Sequence, residues 1–496
     1  MIYVVCEPED FFYDIYMIVS LYFPYEKVID KKGECDISSG SMLIEVSFKL
    51  NDSTVASNCS LFVKDNMTYK SIGHCFENHT VWGSKKKSVK YCIKVSVFKL
   101  LKDYTKIEIP WGILTGIRPS KIVSELKSKA VVDGDIENIL KSKYLIRNDK
   151  AKLVMKVSKN SYNLLNCDPK RISVYIDIPF CPSICLYCSF SSNPIMNWSK
   201  DMDDYMDALE YEITKCADFI NKHFKVDTIY IGGGTPTSLN DCHFKRLLDI
   251  VSGSFEMDGI SEFTVEAGRP DTITPSKLEA MKAAGVGRIS INPQSMNDDT
   301  LKRIGRNHTS SEIVEKFRLA RKLGFDYINM DMILGLPGEN LDNVKYTLGS
   351  ILKLSPENIT VHTMAIKRAS RLKEKIVKNE QVQLPPAELV EKMMDYVVET
   401  MDRSGYLPYY MYRQKMMMGN LENVGYCKSG FQCAYNIQMI EERETIAGFG
   451  AHAVSKAVFL DENRIERIAN KKDVKEYMDS IKETTDNKLK AFKTLI

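Results

Sequence analysis

Three cysteines fall within eight residues, in the run Cys181-Pro-Ser-Ile-Cys185-Leu-Tyr-Cys188. Thiolates are soft ligands, and three on one short loop can wrap a corner of a four-iron cluster while leaving one iron without a protein ligand. An open iron invites a small-molecule ligand. Zinc is the alternative, but a structural zinc site closes with four ligands and usually pairs two separated Cys-x-x-Cys knuckles, and no second knuckle follows downstream. The remaining cysteines, Cys6, Cys35, Cys59, Cys75, Cys92, Cys167, Cys216, Cys242, Cys427 and Cys433, are scattered singly and read as small buried hydrophobes. Only Cys427 and Cys433 form a pair worth watching.

Further along, Ile231-Gly-Gly-Gly-Thr-Pro-Thr237 offers side-chain-free backbone that a ligand can approach closely, although a tight turn explains a lone glycine run equally well. Glu266, Gln294 and Asp331 follow or end apolar runs, in Thr-Val-Glu-Ala-Gly, Ile-Asn-Pro-Gln-Ser and Asn-Met-Asp-Met-Ile-Leu-Gly. Capping and loop hydrogen bonds account for each singly. Their shared place at strand ends points to one pocket.

These residues need a scaffold. Short β-rich runs recur between helical stretches at Val174–Ile178, Thr228–Ile231, Phe263–Val265, Arg288–Ile291, Tyr327–Ile333 and Ile359–Val361. Such alternation predicts an α/β fold with a parallel sheet and a site at the strands' carboxyl ends; a barrel-like and a doubly wound sheet both satisfy it. Residues 1–167 read as an N-terminal α+β domain, with alternation at Met42–Leu50 and helical patterns at Ser88–Lys102 and Asp149–Leu165. The ordered-looking Trp111–Pro119 stretch suggests that this domain docks beside the barrel and helps to close over a large substrate. The α/β core is expected over 168–385 and a mostly helical C-terminal extension over 386–496, opening with a helix to Arg403.

Composition excludes several classes. Among 496 residues, 68 basic and 65 acidic groups leave a formal charge of +3, too small to imply a general affinity for nucleic acid. Glu7, Glu9 and Asp10 stand where a signal peptide wants basic residues, and Asp14 and Pro24 interrupt the apolar run near Met17, so neither export nor a membrane span is expected. Thirteen cysteines, an odd number in a long chain, fit a reducing cytoplasm, which makes the sequon at Asn66 a chance match.

The Cys-x-x-x-Cys-x-x-Cys spacing with Tyr187 before the last cysteine resembles the radical S-adenosylmethionine superfamily. The resemblance implies a partial (β/α)6 TIM-like barrel, a [4Fe-4S] cluster on Cys181, Cys185 and Cys188, and S-adenosylmethionine chelated to the open iron and cleaved to a 5'-deoxyadenosyl radical. It also implies an electron donor of the flavodoxin or ferredoxin kind. By similarity to the coproporphyrinogen dehydrogenase branch, Tyr175, Tyr187, Gly233, Gly234, Thr235, Glu266, Gln294, Arg306, Asp331 and, more weakly, Ala365 match its S-adenosylmethionine contacts.

Trp111–Pro119, Thr264–Thr272, Arg288–Ser295 and Asn420–Tyr426 extend the resemblance to the HemZ-type oxygen-independent coproporphyrinogen dehydrogenases. That implies a porphyrinogen or heme-like substrate and oxidative decarboxylation of coproporphyrinogen III to protoporphyrinogen IX in heme synthesis. A substrate with four carboxylates calls for basic partners, for which Arg118, Lys367, Arg368 and Arg413 are candidates. Tyr409, Tyr410 and Tyr412 suit either a flat macrocycle or domain packing. Two positions depart from the family patterns. Phe190 stands where the established decarboxylases have a further cysteine, as it does in the heme chaperones. The chaperones' His-Asn-x-x-Tyr-Trp motif reads Glu422-Asn-Val-Gly-Tyr-Cys427 here, leaving His452 as the remaining candidate for heme iron. A heme-synthesis enzyme, a heme-transfer protein and an anaerobic heme-opening methyltransferase are therefore the readings to separate.

Overall fold

The structure is a computed structural model that describes residues 1–7, 11–31, 41–50, 54–63, 67–77, 84–165, 167–190 and 193–496. Glu9, Asp10, Cys35, Asn66 and the Cys75 side chain lie outside the described residues. The chain divides into two compact units, Met1–Pro119 with Glu125–Met155, and Ser120–Ser124 with Lys156–Ile496.

The first unit begins with β1 (Ile2–Glu7), α1 (Phe12–Tyr22), β2 (Val28–Asp30), β3 (Met42–Leu50), β4 (Thr54–Val63), β5 (Met67–Glu77) and α2 (Lys85–Thr105). The strands form one sheet in the order β2-β1-β3-β4-β5, with β1 parallel to both neighbours. Ile15, Ile18 and Val19 of α1 and Val89, Ile93 and Leu100 of α2 share a core with Val4, Ile44, Val46 and Leu61 of the sheet. Asp14, which interrupts the apolar run of α1, accepts Lys90 at 3.0 Å and Lys94 at 3.3 Å from α2. The helices α3 (Ser120–Ser128), α4 (Asp133–Ser142) and α5 (Asn148–Ser161) follow.

The second unit alternates strand and helix: β6 (Arg171–Ile178), the short pair β7 (Phe180–Cys181) and β8 (Asn193–Pro194), α6 (Met202–His223), β9 (Lys225–Gly233), α7 (Asp241–Ser254), β10 (Glu262–Gly268), α8 (Pro275–Ala283), β11 (Arg288–Ile291), α9 (Asp298–Arg303), α10 (Ser310–Lys322), β12 (Tyr327–Leu334), α11 (Leu341–Leu354) and β13 (Asn358–Thr363). Local sequence starts several of these helices: Thr309 and Glu312 form a capping box for α10, as Asn340 and Asn343 do for α11. All six strands read from the sequence are present. The run β6-β9-β10-β11-β12-β13 is parallel throughout and follows chain order, whereas a doubly wound sheet reverses order at a switch point. This is the open (β/α)6 arrangement.

After α12 (Arg371–Val377) and α13 (Ala387–Arg403), β14 (Leu407–Tyr412) and β15 (Asn423–Cys427) extend the sheet antiparallel beyond β13. Then α14 (Ala434–Glu441) leads to β16 (Thr445–Phe449), which lies parallel against β6, followed by β17 (Val454–Phe459) and β18 (Arg464–Ala469). The C-terminal helices α15 (Val474–Asp479) and α16 (Ile481–Lys493) close the chain. The helices expected after Pro385 are thus joined by strands that lengthen the core sheet at both edges. Among the described residues, no helix is long and apolar enough to cross a membrane.

Candidate functional site

The cysteine loop leaves β6 at its carboxyl end and is tied down along its length. Leu186 N–H donates to Ile304 O at 2.9 Å, and Leu372 N–H donates to Leu186 O at 2.9 Å. Arg269 donates through Nη1 to the Ser183 carbonyl at 3.1 Å and hydroxyl at 2.8 Å, while its other edge grips Asp271 at 3.0 and 2.8 Å. Burial pushes the Asp271 carboxyl up, but His308 and Arg269 outweigh it and hold the group well below the usual range. A buried guanidinium with two fixed partners makes a rigid strut for the loop.

The glycine turn after β9 packs directly against that loop. Thr235 N–H donates to Phe180 O at 2.7 Å, and the Thr235 hydroxyl lies 3.4 Å from Cys181 Sγ. Gly233 sits at φ +106°, where a Cβ would meet Asp177 Oδ1 at 2.4 Å, and a Cβ on Gly234 would meet Phe180 O at 2.5 Å. The glycines are therefore required by the strand-to-loop contact itself, as well as leaving backbone at the site.

Cys181, Cys185, Cys188, Tyr175, Tyr187, Gly233, Gly234, Thr235, Glu266, Gln294, Arg306, Asp331 and Ala365 all line one cavity of about 470 Å³. Glu266 accepts the Tyr230 hydroxyl at 2.5 Å; burial, aided by Asp331, pushes its carboxyl up to about 7. Asp331 stands in the middle of β12, not at its end as the sequence suggested. It accepts Asn329 Nδ2 at 2.7 Å and has His362 Nε2 at 3.6 Å, and those partners hold it low against the effect of burial. Arg306 is buried, donating to Asn292 O at 2.5 Å with Tyr187 at 3.5 Å.

Gln294 adopts φ 65°, rare for a non-glycine residue, and is stitched to β12 through Asp331 O at 2.9 Å and Ile333 N at 3.0 Å. Its Oε1 is buried without a hydrogen-bond partner, as are Asn292 Oδ1 and Arg306 Nε. Buried polar atoms left open beside a cavity, on a strained residue, mark a place where a polar ligand completes the bonding. These orphaned groups and the thiol donor set fit S-adenosylmethionine and an iron-sulfur cluster. Among the described residues no three His, Cys, Asp or Glu side chains converge as ligands of one ion. A cluster that takes one thiolate per iron makes no such demand.

The wall facing the carboxylates is aromatic. Tyr435 stacks on Tyr230 at 4.4 Å and on Tyr175 at 6.0 Å, and Tyr410 lies parallel to Tyr412 at 6.4 Å. Tyr409, Tyr410 and Tyr412 all border the cavity. Tyr230, Arg269, His362 and Tyr435 were not singled out from the sequence. Tyr230 lies two residues before Gly232 on one strand, so strand alternation was a usable signal for it; nothing in the sequence marked Tyr435.

Of the basic substrate candidates, Lys367 is half-buried on the cavity, and burial lowers its amine from the usual value. Arg368 is exposed and off the lining. Arg413 is also off the lining, buried and donating to Asn420 O at 3.3 Å; burial brings its guanidinium down to about 10, against the pull of Glu422. Arg118 belongs to the first unit. Cys427 is fully buried, with its thiol toward Leu407 O, whereas Cys433 borders the cavity and donates to Glu262 at 3.0 Å.

The radical SAM superfamily model matches residues 175–351. The chain is 41% identical to the oxygen-independent coproporphyrinogen-III oxidase-like protein HemZ of Bacillus subtilis, across 82% of this chain and 81% of that protein. It is 34% identical to the heme chaperone HemW of the same organism, over 57% of this chain and 70% of HemW. The coproporphyrinogen III oxidase HemN of Escherichia coli shares the fold, with a TM-score of 0.54 at 24% identity over 65% of this chain and 72% of that one. With the cysteine loop, the open (β/α)6 sheet and a relative matched along most of both chains, the protein belongs to the HemZ-type branch of the radical S-adenosylmethionine superfamily.

Proposed function

We propose that the chain is an oxygen-independent oxidase that turns two propionates of a coproporphyrinogen III-type tetrapyrrole into vinyl groups. The observation that supports this most is one cavity that joins the three thiols, the buried carboxylates and several tyrosines whose rings suit a flat substrate. The relative named a coproporphyrinogen oxidase-like protein, alike over most of both chains, supports it further.

In this reading Cys181, Cys185 and Cys188 hold the cluster, which when bound supplies the electron that cleaves S-adenosylmethionine. Asp331 and Glu266 accept ligand hydroxyl or amino protons. Arg306 and Gln294 take a carboxylate and an amine through the atoms left open on them. The tyrosines orient the substrate's face, and Lys367 meets a propionate. Each round removes one hydrogen atom from a propionate β-carbon, after which carbon dioxide and one electron depart. An acceptor outside the chain takes that electron.

The test is an anaerobic assay of reconstituted protein with S-adenosylmethionine, a strong reductant and coproporphyrinogen III. Matched formation of 5'-deoxyadenosine and of tetrapyrrole lighter by carbon dioxide and two hydrogens for each propionate converted is expected. Turnover of S-adenosylmethionine without decarboxylated porphyrin rejects the substrate.

Heme transfer is the second reading, favoured by Phe190 and by the likeness to HemW. The corresponding motif is unsuited to iron: Glu422 and Cys427 are fully buried in β15 and the turn before it. His452 is off the cavity lining, held at φ 71°, and burial lowers its basicity. Heme titration that gives an imidazole-ligated spectrum lost in His452→Ala protein would favour transfer over oxidation.

A further inference from the structure

We infer that Phe190 is a specificity-determining residue: its ring is an apolar platform at the mouth of the cavity and packs on a pyrrole face of the tetrapyrrole. The inference rests on the proposed function, because it takes its substrate from that reading.

Of the described residues that line the cavity, Phe190 alone is exposed, at 74%; the others are buried or half-buried. The cavity therefore opens at this side chain. A lone exposed phenylalanine needs no explanation, since much of any protein surface is apolar. Phe190 has company. Met439 and Ile440, in the last turn of α14, line the same cavity and are half-buried, as is Lys367 after β13. The chain is also tied on both sides of Phe190: Cys188 N–H donates to Cys185 O at 3.1 Å, and Asn193 N–H donates to Pro179 O at 2.8 Å. The ring is thereby kept beside the thiol loop, where the reacting end of a substrate has to come.

The chemistry of the opening distinguishes the two ligands of the proposed reaction. S-Adenosylmethionine is polar along most of its length, and the atoms left open for a polar ligand, Gln294 Oε1, Asn292 Oδ1 and Arg306 Nε, belong to side chains that are themselves buried. The opening instead combines the apolar surface of Phe190, Met439 and Ile440 with one amine. Burial alone lowers the Lys367 amine, and among the described residues no acidic group pulls it back, so its charge is available to a ligand. A tetrapyrrole that carries propionates has the matching pattern, with apolar ring faces and anionic edges. A pyrrole face laid on Phe190, with a carboxylate at Lys367, covers aromatic surface that otherwise stands in water. Where the established decarboxylases have a cysteine, this chain thus has a binding surface.

The test is anaerobic binding of coproporphyrinogen III to reconstituted protein with S-adenosylmethionine but no reductant, so that nothing turns over. Free ligand is separated by ultrafiltration and read by its fluorescence after oxidation. Phe190→Ala should weaken binding at least about fivefold and Phe190→Tyr should keep it, with the affinity for S-adenosylmethionine unchanged in both. Met196→Ala, at a side chain 80% exposed but off the lining, should change neither affinity. Coproporphyrinogen affinity equal to wild type in Phe190→Ala overturns the assignment, and so does an equal loss of S-adenosylmethionine affinity, which would put the ring against the adenosyl group. If Phe190→Ala loses its cluster absorbance, Phe190→Leu decides: binding several-fold weaker with the cluster intact supports the assignment, and unchanged binding overturns it. Wild-type protein that binds no coproporphyrinogen III instead removes the proposed substrate, and the inference with it.

Discussion

The Tyr230 hydroxyl donates to Glu266 Oε1 at 2.5 Å, joining the second barrel strand to its neighbour, the third, on the cavity wall. This bond lowers the proton affinity of Glu266 while burial and Asp331 raise it, and the balance leaves the carboxyl at about 7. Removing the hydroxyl in Tyr230→Phe should push Glu266 higher. S-Adenosylmethionine binding should then weaken at neutral pH and recover as pH rises, which isothermal titration across pH will show. A pH profile identical to wild type would mean that Glu266 does not meet the ligand.

The same groups make stability depend on pH. Glu266 moves from 4.5 to about 7 and Asp177, buried beside Tyr175 and Gly233, moves from 3.8 to about 8. Each is raised on folding, so the folded protein retains protons that the unfolded chain releases. Their stabilising contribution is complete below about pH 4 and is lost as pH rises through about 7 to 8. Ligand-free protein should therefore melt at lower temperature at about pH 8.5 than at about pH 5.5, and Asp177→Asn with Glu266→Gln should flatten that slope. Calorimetry over pH is the check.

Gly233→Ala should be destabilising by about 1–3 kcal/mol, because φ +106° is unfavourable for a side chain and the new methyl would press on Asp177. S-Adenosylmethionine binding should fall with it. Gly253→Ala, in α7 with open space around it, should leave S-adenosylmethionine binding unchanged and should not lower stability.

Replacing Cys181, Cys185 or Cys188 singly by Ala should abolish the iron-sulfur spectrum after reconstitution, whereas Cys427→Ala should retain it. Cys427 is fully buried in β15 with its thiol pushed up to about 12 by burial, a poor source of thiolate. Iron and sulfide analysis of the four variants separates ligands from packing cysteines.

Behind the barrel, Glu212 and Lys488 are both 0% exposed and meet at 2.5 Å. Glu212 also accepts the Tyr477 hydroxyl at 2.7 Å, Asn470 Nδ2 at 2.8 Å and Gly450 N–H at 2.9 Å. Lys488→Met should cost about 3–5 kcal/mol by stranding the carboxylate. Adding Glu212→Leu to that variant should restore part of the loss, as denaturant titration will show.

The cysteine spacing and the six strands were legible in the sequence because they depend on local features, whereas most of the expected S-adenosylmethionine contacts came from the family resemblance and many other cavity-lining residues were not singled out. Three thiols on one short loop need no tertiary partner to be recognised, and alternation of strand and helix sets a parallel sheet. Strand order was not legible, since a barrel-like and a doubly wound sheet use the same local pattern. Nor were the added edge strands, because β14 and β15 gain their order by pairing with β13, and Tyr, Met and Gly carry no clear period there. The basic candidates divided only on folding: Lys367 reached the cavity, Arg413 was buried behind it and Arg368 faced out. Charge alone cannot say where a side chain points. What the tertiary structure decided was the company each group keeps: Tyr435 packed against both Tyr175 and Tyr230, Tyr230 on Glu266, Arg269 on the cysteine loop, all contacts between residues far apart in the chain. Residue types set which chemistry is available; only packing sets the distances at which it can act.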